Sequence, residues 1–357
     1  MIGRAEAFVL RRLLTLPAPV QRFIGGTPES GDPIDPTIAM LLRAQRWRGR
    51  TGLSAGTPAR TRRRVRRTAA LMTGRPTPVG TVHDVTVAGR LRGRHYAPQA
   101  PGAHADLGRA GAHADLDRAG QRSWRAGPTG SDLLVVFFHG GGFVAGDLDT
   151  HDETCRLLCA FGRMRVLSVE YRLAPESPFP AAVEDACAAV TWAFTQAPAV
   201  AVCGDSAGAN LAAVVCQSLR GGERTPVAQA LLYPLVDHAG TWPSRSHFRS
   251  GPVLTARDLE FFRRHYLPGP IGPDPRHSPL HAADLRGLPP AIVVTAALDP
   301  LRDEGEAYAA ALRAAGVPVQ SWRVPGMVHA FANLTPISTA ARTAVIETAT
   351  RLAEHAR

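Results

Sequence analysis

The chain has 357 residues, 45% of them apolar, which admits one large α/β domain or two average ones and excludes wholesale disorder. All 41 basic residues are arginine against 30 acidic residues, and the net charge of +11 is uneven: residues 1–130 hold 22 arginines and 8 acids, residues 131–357 hold 19 and 22. No RNA- or DNA-binding motif accompanies this charge, so a nucleic-acid partner is not expected.

The basicity peaks in "RAQRWRGRTGLSAGTPARTRRRVRR" (43–67), expected to be a solvated segment with, at most, weak attraction to an anionic membrane surface. No apolar run reaches the roughly 18–20 residues that span a bilayer. Glu6, Arg11 and Arg12 break the N-terminal apolar stretch, so it does not read as a signal peptide, and a cytoplasmic, at most peripherally membrane-bound, protein is expected. The five cysteines (155, 159, 187, 203, 216) are odd in number and sit in apolar stretches, which favours buried thiols over a disulfide framework or a zinc site.

In chain order, the first 75 residues read as helical and irregular. Phe8, Val9, Leu13 and Leu16 lie near helical spacing, and "DPTIAMLLRAQRW" (35–47) offers an Asp-Pro start followed by an apolar face. "TVHDVTVAGRLRGRHYAP" (81–98) alternates and is β-branched, predicting an antiparallel pair. Residues 102–119 are a tandem duplication, GAHADLGRA then GAHADLDRA. Two units build no solenoid, so a surface loop is expected, and His104, His113, Asp106 and Asp115 are not taken as metal ligands.

From residue 131 short apolar runs alternate with helical stretches. Strands are expected at 133–138, 165–170, 199–204, 228–233, 291–296 and 318–324, with helices at 181–194 and 303–316. Continuous apolar strands between amphipathic helices predict a mostly parallel sheet covered on both faces. Residues 234–289 interrupt the alternation with Pro- and Gly-rich segments around one helix-like piece, an excursion suited to walling a pocket.

The chemistry centres on "CGDSAG" (203–208). Gly-x-Ser-x-Gly between a strand and a helix is the pattern of a nucleophile elbow, whose turn is so tight that the serine's neighbours must be nearly free of side chains. Ser206 would then need a base and an acid to orient it, at the ends of later strands if the order is Ser, Asp, His. His329 follows the last strand. Asp299 and Asp303 share the loop after "AIVVTA", and Asp299, nearer the strand end, is preferred. The three glycines of "FFHGGGFVAG" (137–146) add nothing to a strand but let backbone N–H groups face a cavity, as an oxyanion hole requires. A phosphate-cradling loop is the rival reading, and the absence of lysine counts against it.

HGGG, YRLAPE, FPAAVEDA, GDSAG, DPLRDEG and a final H-x-F occur in one order over roughly residues 75–357. The chain thereby resembles the hormone-sensitive-lipase-like esterases (bacterial family IV) of the α/β-hydrolases. The resemblance implies an α/β-hydrolase fold with an N-terminal helical cap (1–75) and a catalytic domain (76–357). It implies Ser206 as nucleophile, His329 as base, Asp299 as orienting acid, and an oxyanion hole formed by Gly141, Gly142 and the N–H of Ala207. It also implies a small ester of short or medium acyl chain as substrate, no metal or organic cofactor, and His139 as a structural brace of the glycine loop. The family's glycine after the histidine is Ala330 here, which is expected to tighten that loop. Plant relatives of this fold serve as hormone receptors, but such a binding module is expected to lack the histidine that this chain keeps. A membrane-docked lipase and an amide or lactone hydrolase use the same triad. The sequence carries no signal of oligomeric state.

Overall fold

A computed structural model describes residues 16, 18–25, 33–47, 52–100 and 132–355. The duplicated 102–119 segment, with its histidines and aspartates, lies outside the described residues, as do Phe8, Val9 and Leu13. The described elements, in chain order, are α1 (Ala18–Gly25), α2 (Pro36–Trp47), α3 (Pro58–Met72), β1 (Thr81–Val87), β2 (Leu91–Ala97), β3 (Leu133–Phe138), α4 (Asp152–Gly162), β4 (Arg165–Glu170), α5 (Ala181–Ala193), β5 (Ala199–Asp205) and α6 (Ala207–Ser218). They continue with β6 (Gln229–Leu232), α7 (Pro243–His247), α8 (Ala256–Tyr266), β7 (Ala291–Leu298), α9 (Arg302–Ala314), β8 (Val319–Val328) and α10 (Thr339–Glu354).

The eight strands form one sheet in the order β1-β2-β4-β3-β5-β6-β7-β8. From β4 to β8 neighbours are parallel, while β1, β2 and β4 pair antiparallel. The hairpin β1–β2 turns through Ala88 (φ 48°) and Gly89 (φ 72°), a primed geometry that matches strand twist. β3 shows why its apolar run is unbroken. Leu134, Val136 and Phe138 pack into one core with α5, α6 and α9, and Leu133, Val135 and Phe137 into a second core with α4 and α10. A strand buried on both faces has no solvent side to mark with polar residues.

Helix starts follow local chemistry. Asp35 accepts hydrogen bonds from the N–H groups of Thr37 (2.9 Å) and Ile38 (3.1 Å) at the start of α2. Pro58 opens α3 behind the capping Thr57, and Thr255 with Asp258 forms a capping box on α8. β8 runs to Val328, four residues beyond the expected end at Val324, because its pairing with β7 resumes after a register shift between Ala296 and Leu298. No helix among the described residues is long and apolar enough to cross a membrane. The carboxyl ends of β3, β5, β7 and β8 lie on one edge and carry His139, Ser206, Asp299 and His329, the edge where α/β sheets bind ligands.

Candidate active site

Ser206 sits between β5 and α6 with φ 53° and ψ −115°, a backbone region that costs a non-glycine residue of order 1–3 kcal/mol. The turn is held by Ser206 N–H donating to the Leu232 carbonyl (2.9 Å) and by the Ser206 carbonyl accepting from Asn210 N–H (3.1 Å). Close approach dictates the flanking glycines. A Cβ on Gly208 would lie 1.9 Å from the Phe138 carbonyl oxygen, and one on Gly204 would lie 2.3 Å from the backbone of Gly208. Asn210, one turn into α6, donates its amide to the carbonyls of Leu235 and His277 (both 2.8 Å), tying the helix to the 234–289 excursion.

His329 and Asp299 meet this serine. His329 Nε2 is 2.9 Å from Ser206 Oγ, and His329 Nδ1 is 2.8 Å from Asp299 Oδ2. A carboxylate only accepts, so Nδ1 carries the ring proton and Nε2 is left to accept from the serine hydroxyl. Asp299 is wholly buried, and its other oxygen accepts from Leu301 N–H (2.9 Å). Asp303 faces elsewhere, accepting from Ser244 N–H (2.7 Å) and Arg302 Nε (2.8 Å), and does not reach His329. The row Ser206–His329–Asp299 can therefore take the hydroxyl proton onto His329 and stabilise the resulting imidazolium.

The glycine loop forms the opposite wall. Gly141 has φ 122°, and a Cβ there would lie 2.1 Å from the Ala145 carbonyl oxygen. Among the described residues none accepts a hydrogen bond from the N–H of Gly141, Gly142 or Ala207. Gly141 and Gly142 line the cavity that contains Ser206, whereas Ala207 begins α6 behind it. His139 is fully buried; its Nδ1 donates to the Gly140 carbonyl (2.9 Å) and its ring stacks on Tyr171 at 4.4 Å. Burial lowers its pKa to about 4, so it is neutral at pH 7.

One buried network was not legible in the sequence. The Asp205 carboxylate accepts from Gly140 N–H (2.7 Å), and His151 Nε2 lies 3.2 Å from the same oxygen. Burial alone would raise the pKa of this carboxyl, but the facing His151 and the Gly140 N–H together hold it below the ordinary value. Tyr233 hangs its hydroxyl 3.3 Å from the other oxygen and sets its ring edge-on to His329 at 5.0 Å. In the sequence Asp205 stands only as an unassigned letter of the GDSAG motif.

The site opens into a cavity of about 290 Å³. Leu53 and Val65 close it from the N-terminal segment, and Leu254, Leu259 and Phe262 wall it from the excursion. A larger cavity of about 510 Å³, beside α3, β1 and the start of α4, contains none of Ser206, His329 or the glycine loop. Among the described residues no three His, Cys, Asp or Glu side chains are grouped as a metal would need.

This fold and this edge define the class: residues 135–333 match the family model described as the alpha/beta hydrolase fold. The chain is similar to the carboxylic ester hydrolase LipN of Mycobacterium tuberculosis, 40% identical over 89% of this chain and 83% of the relative. It is also similar to the ethyl acetate hydrolase of Pseudomonas putida, 36% identical over 64% of this chain and 75% of the relative. Among solved structures it resembles the esterase of Pyrobaculum calidifontis, with TM-score 0.74, 36% identity and coverage of 91% of this chain and 98% of that one. The chain belongs to the hormone-sensitive-lipase-like esterases (bacterial family IV) of the α/β-hydrolases, enzymes that hydrolyse carboxylic esters.

Proposed function

We propose that this protein is a serine carboxylesterase for short- to medium-chain acyl esters, working through an acyl-enzyme. The observation that carries the reading is the hydrogen-bonded row from Ser206 Oγ through His329 to Asp299, open to a cavity lined by Gly141 and Gly142, whose N–H groups have no acceptor among the described residues. Ser206 Oγ attacks the ester carbonyl as His329 Nε2 takes its proton, and Asp299 stabilises the imidazolium. The N–H groups of Gly141, Gly142 and Ala207 stabilise the oxyanion, one such donor being worth about 3 kcal/mol. Protonated His329 then gives its proton to the departing alkoxide, and a water activated by the neutral imidazole hydrolyses the acyl-Ser206 ester.

A cavity of about 290 Å³ stands at the small end of ligand sites, about 300–1,000 Å³, which supports a short acyl group. We read residues 1–75 as a cap, 76–357 as the catalytic unit and 234–289 as its inserted wall, since both the first and the last contribute cavity-lining side chains. Exposed Arg60 and Arg63 on α3 support a weak electrostatic association with anionic membrane surfaces. The free cysteines, four of them buried, fit a reducing cytoplasm.

The test is hydrolysis of p-nitrophenyl esters from acetate to palmitate by the wild type and by Ser206→Ala. Activity is expected to peak at short or medium chains and to vanish in the variant. A peak at palmitate would replace the esterase reading with a lipase.

A further inference from the structure

The arginine-rich helix α3 makes a set of contacts that its charge alone does not explain. Arg62 donates from Nε to the Val144 carbonyl (2.7 Å) and from a terminal nitrogen to the Ala174 carbonyl (2.8 Å), while its fork also grips the Glu176 carboxylate (2.9 Å to Oε1). Arg66, one helical turn on and on the same face, is bonded through Nε to Asp147. Val144 and Asp147 both belong to the leg that leaves the glycine turn 140–142. That turn carries no side chains of its own to pack, and its local bonds are Val144 N–H and Ala145 N–H to the Gly141 carbonyl (3.2 and 2.9 Å) and His139 Nδ1 to the Gly140 carbonyl (2.9 Å).

The contacts close into rings. Ala174 N–H donates to the Phe143 carbonyl (2.8 Å), so Arg62 bridges two strands of loop that already touch. From Asp147 the chain of bonds runs to Thr150 N–H (2.8 Å), from the Thr150 hydroxyl to His151 Nδ1 (2.9 Å), from His151 Nε2 to Asp205 (3.2 Å), and from Asp205 back to Gly140 N–H (2.7 Å). The two arginines thus hold the leg beyond the turn, while Asp205 holds the turn's first residue.

We propose that Arg62, seconded by Arg66, is a positioning residue for the oxyanion donors: α3 clamps the glycine loop so that the N–H groups of Gly141 and Gly142 stay aimed at the carbonyl oxygen of a bound ester. This inference rests on the esterase reading above, in which those N–H groups form the oxyanion hole. The planar guanidinium suits the task because it can bond two carbonyls and a carboxylate at once, which an ammonium cannot do in the same geometry.

The clamp acts on the transition state, whose oxyanion needs the aligned donors, more than on the ground state. Arg62→Gln is therefore expected to lower kcat about tenfold to a hundredfold, less than the 10²–10³ for outright loss of a donor, with KM changed less than about threefold. Affinity for a trifluoromethyl ketone, whose adduct with Ser206 bears an oxyanion, should fall in parallel with kcat/KM. Arg62→Lys should recover part of both losses. Arg60→Gln and Arg63→Gln, on the exposed side of the same helix, should leave both parameters near wild type. If Arg62→Gln does not fold, Arg62→Lys carries the test, with the same parallel loss at smaller size. Unchanged kcat in the folded variant, or a kcat loss without loss of ketone affinity, overturns the clamp. Failure of the esterase reading is seen separately, as absence of hydrolysis and of fluorophosphonate labelling at Ser206 in the wild type.

Discussion

Asp299 directly follows β7 and Asp303 lies four residues on, in the first turn of α9, and substituting each by asparagine separates the proposed roles. In Asp299→Asn the amide has two orientations, and both conflict with the surroundings. With the NH₂ toward His329, it faces Nδ1 at 2.8 Å, two donors meet, and the imidazole must move its proton to Nε2. Nε2 would then point a donor at Ser206 Oγ, 2.9 Å away, and could not accept the serine's proton. With the amide reversed, the NH₂ faces Leu301 N–H at 2.9 Å, a buried donor–donor contact costing about 1–3 kcal/mol. The neutral carbonyl then left on Nδ1 also stabilises the imidazolium less than a carboxylate does. Either way the barrier rises by about 3–5 kcal/mol, a fall in kcat of roughly 10²–10⁴ at pH 7–8. Asp303→Asn keeps an acceptor for Ser244 N–H and should leave kcat within about threefold, with at most about 1 kcal/mol lost in stability. Steady-state hydrolysis of p-nitrophenyl butyrate, with thermal melts to confirm folding, reads both. A folded Asp299→Asn enzyme retaining more than a tenth of wild-type kcat would refute the assignment.

Gly208→Ala places a Cβ 1.9 Å from the Phe138 carbonyl oxygen, so the variant should lose about 3 kcal/mol or more and most activity; a normal denaturation midpoint would show that β3 can yield. Ala330 adopts φ 62° and ψ 27°, so Ala330→Gly should remove left-handed strain and stabilise by up to about 1 kcal/mol, read as a raised urea midpoint; a lower midpoint would contradict this. His139 has a folded pKa of about 4 against an ordinary 6.5. Between those values the unfolded chain binds more protons, so this contribution is complete above pH 6.5 and is lost as pH falls towards 4, about 2 kcal/mol of it by pH 5. His95 and His238, each lowered to about 3 by burial, act in the same sense, and equal urea midpoints at pH 7 and 5 would refute the assignment.

The middle of the sheet was legible because β3 to β7 are buried on both faces and so read as unbroken apolar runs, and the elbow because close backbone packing leaves room only for glycine two residues to either side of Ser206. Helix α10 escaped the sequence reading: its core face is built from Ala341, Ala344, Val345, Ala349 and Leu352 among threonines, a faint stripe beside that of the other helices. The choice of Asp299 followed from strand-end proximity, but proximity does not show what occupies Asp303. That took Ser244, which lies 59 residues away in sequence. The Asp205–His151 contact is hidden for the same reason, since its partners share neither an element nor a spacing rule.

The arginines of α3 are where composition misleads most. By charge they form one basic patch, yet neighbours on the helix face different ways: Arg63 points to solvent, while Arg62 donates to the carbonyls of Val144 and Ala174. A guanidinium bonded to backbone carbonyls brings a positive charge to the glycine loop without offering a surface to a distant polyanion. The same residue type at one-residue spacing can therefore serve solubility on one side of a helix and loop geometry on the other. The net charge of the segment measures neither, because what separates the two roles is the 100° that each residue turns about the helix axis.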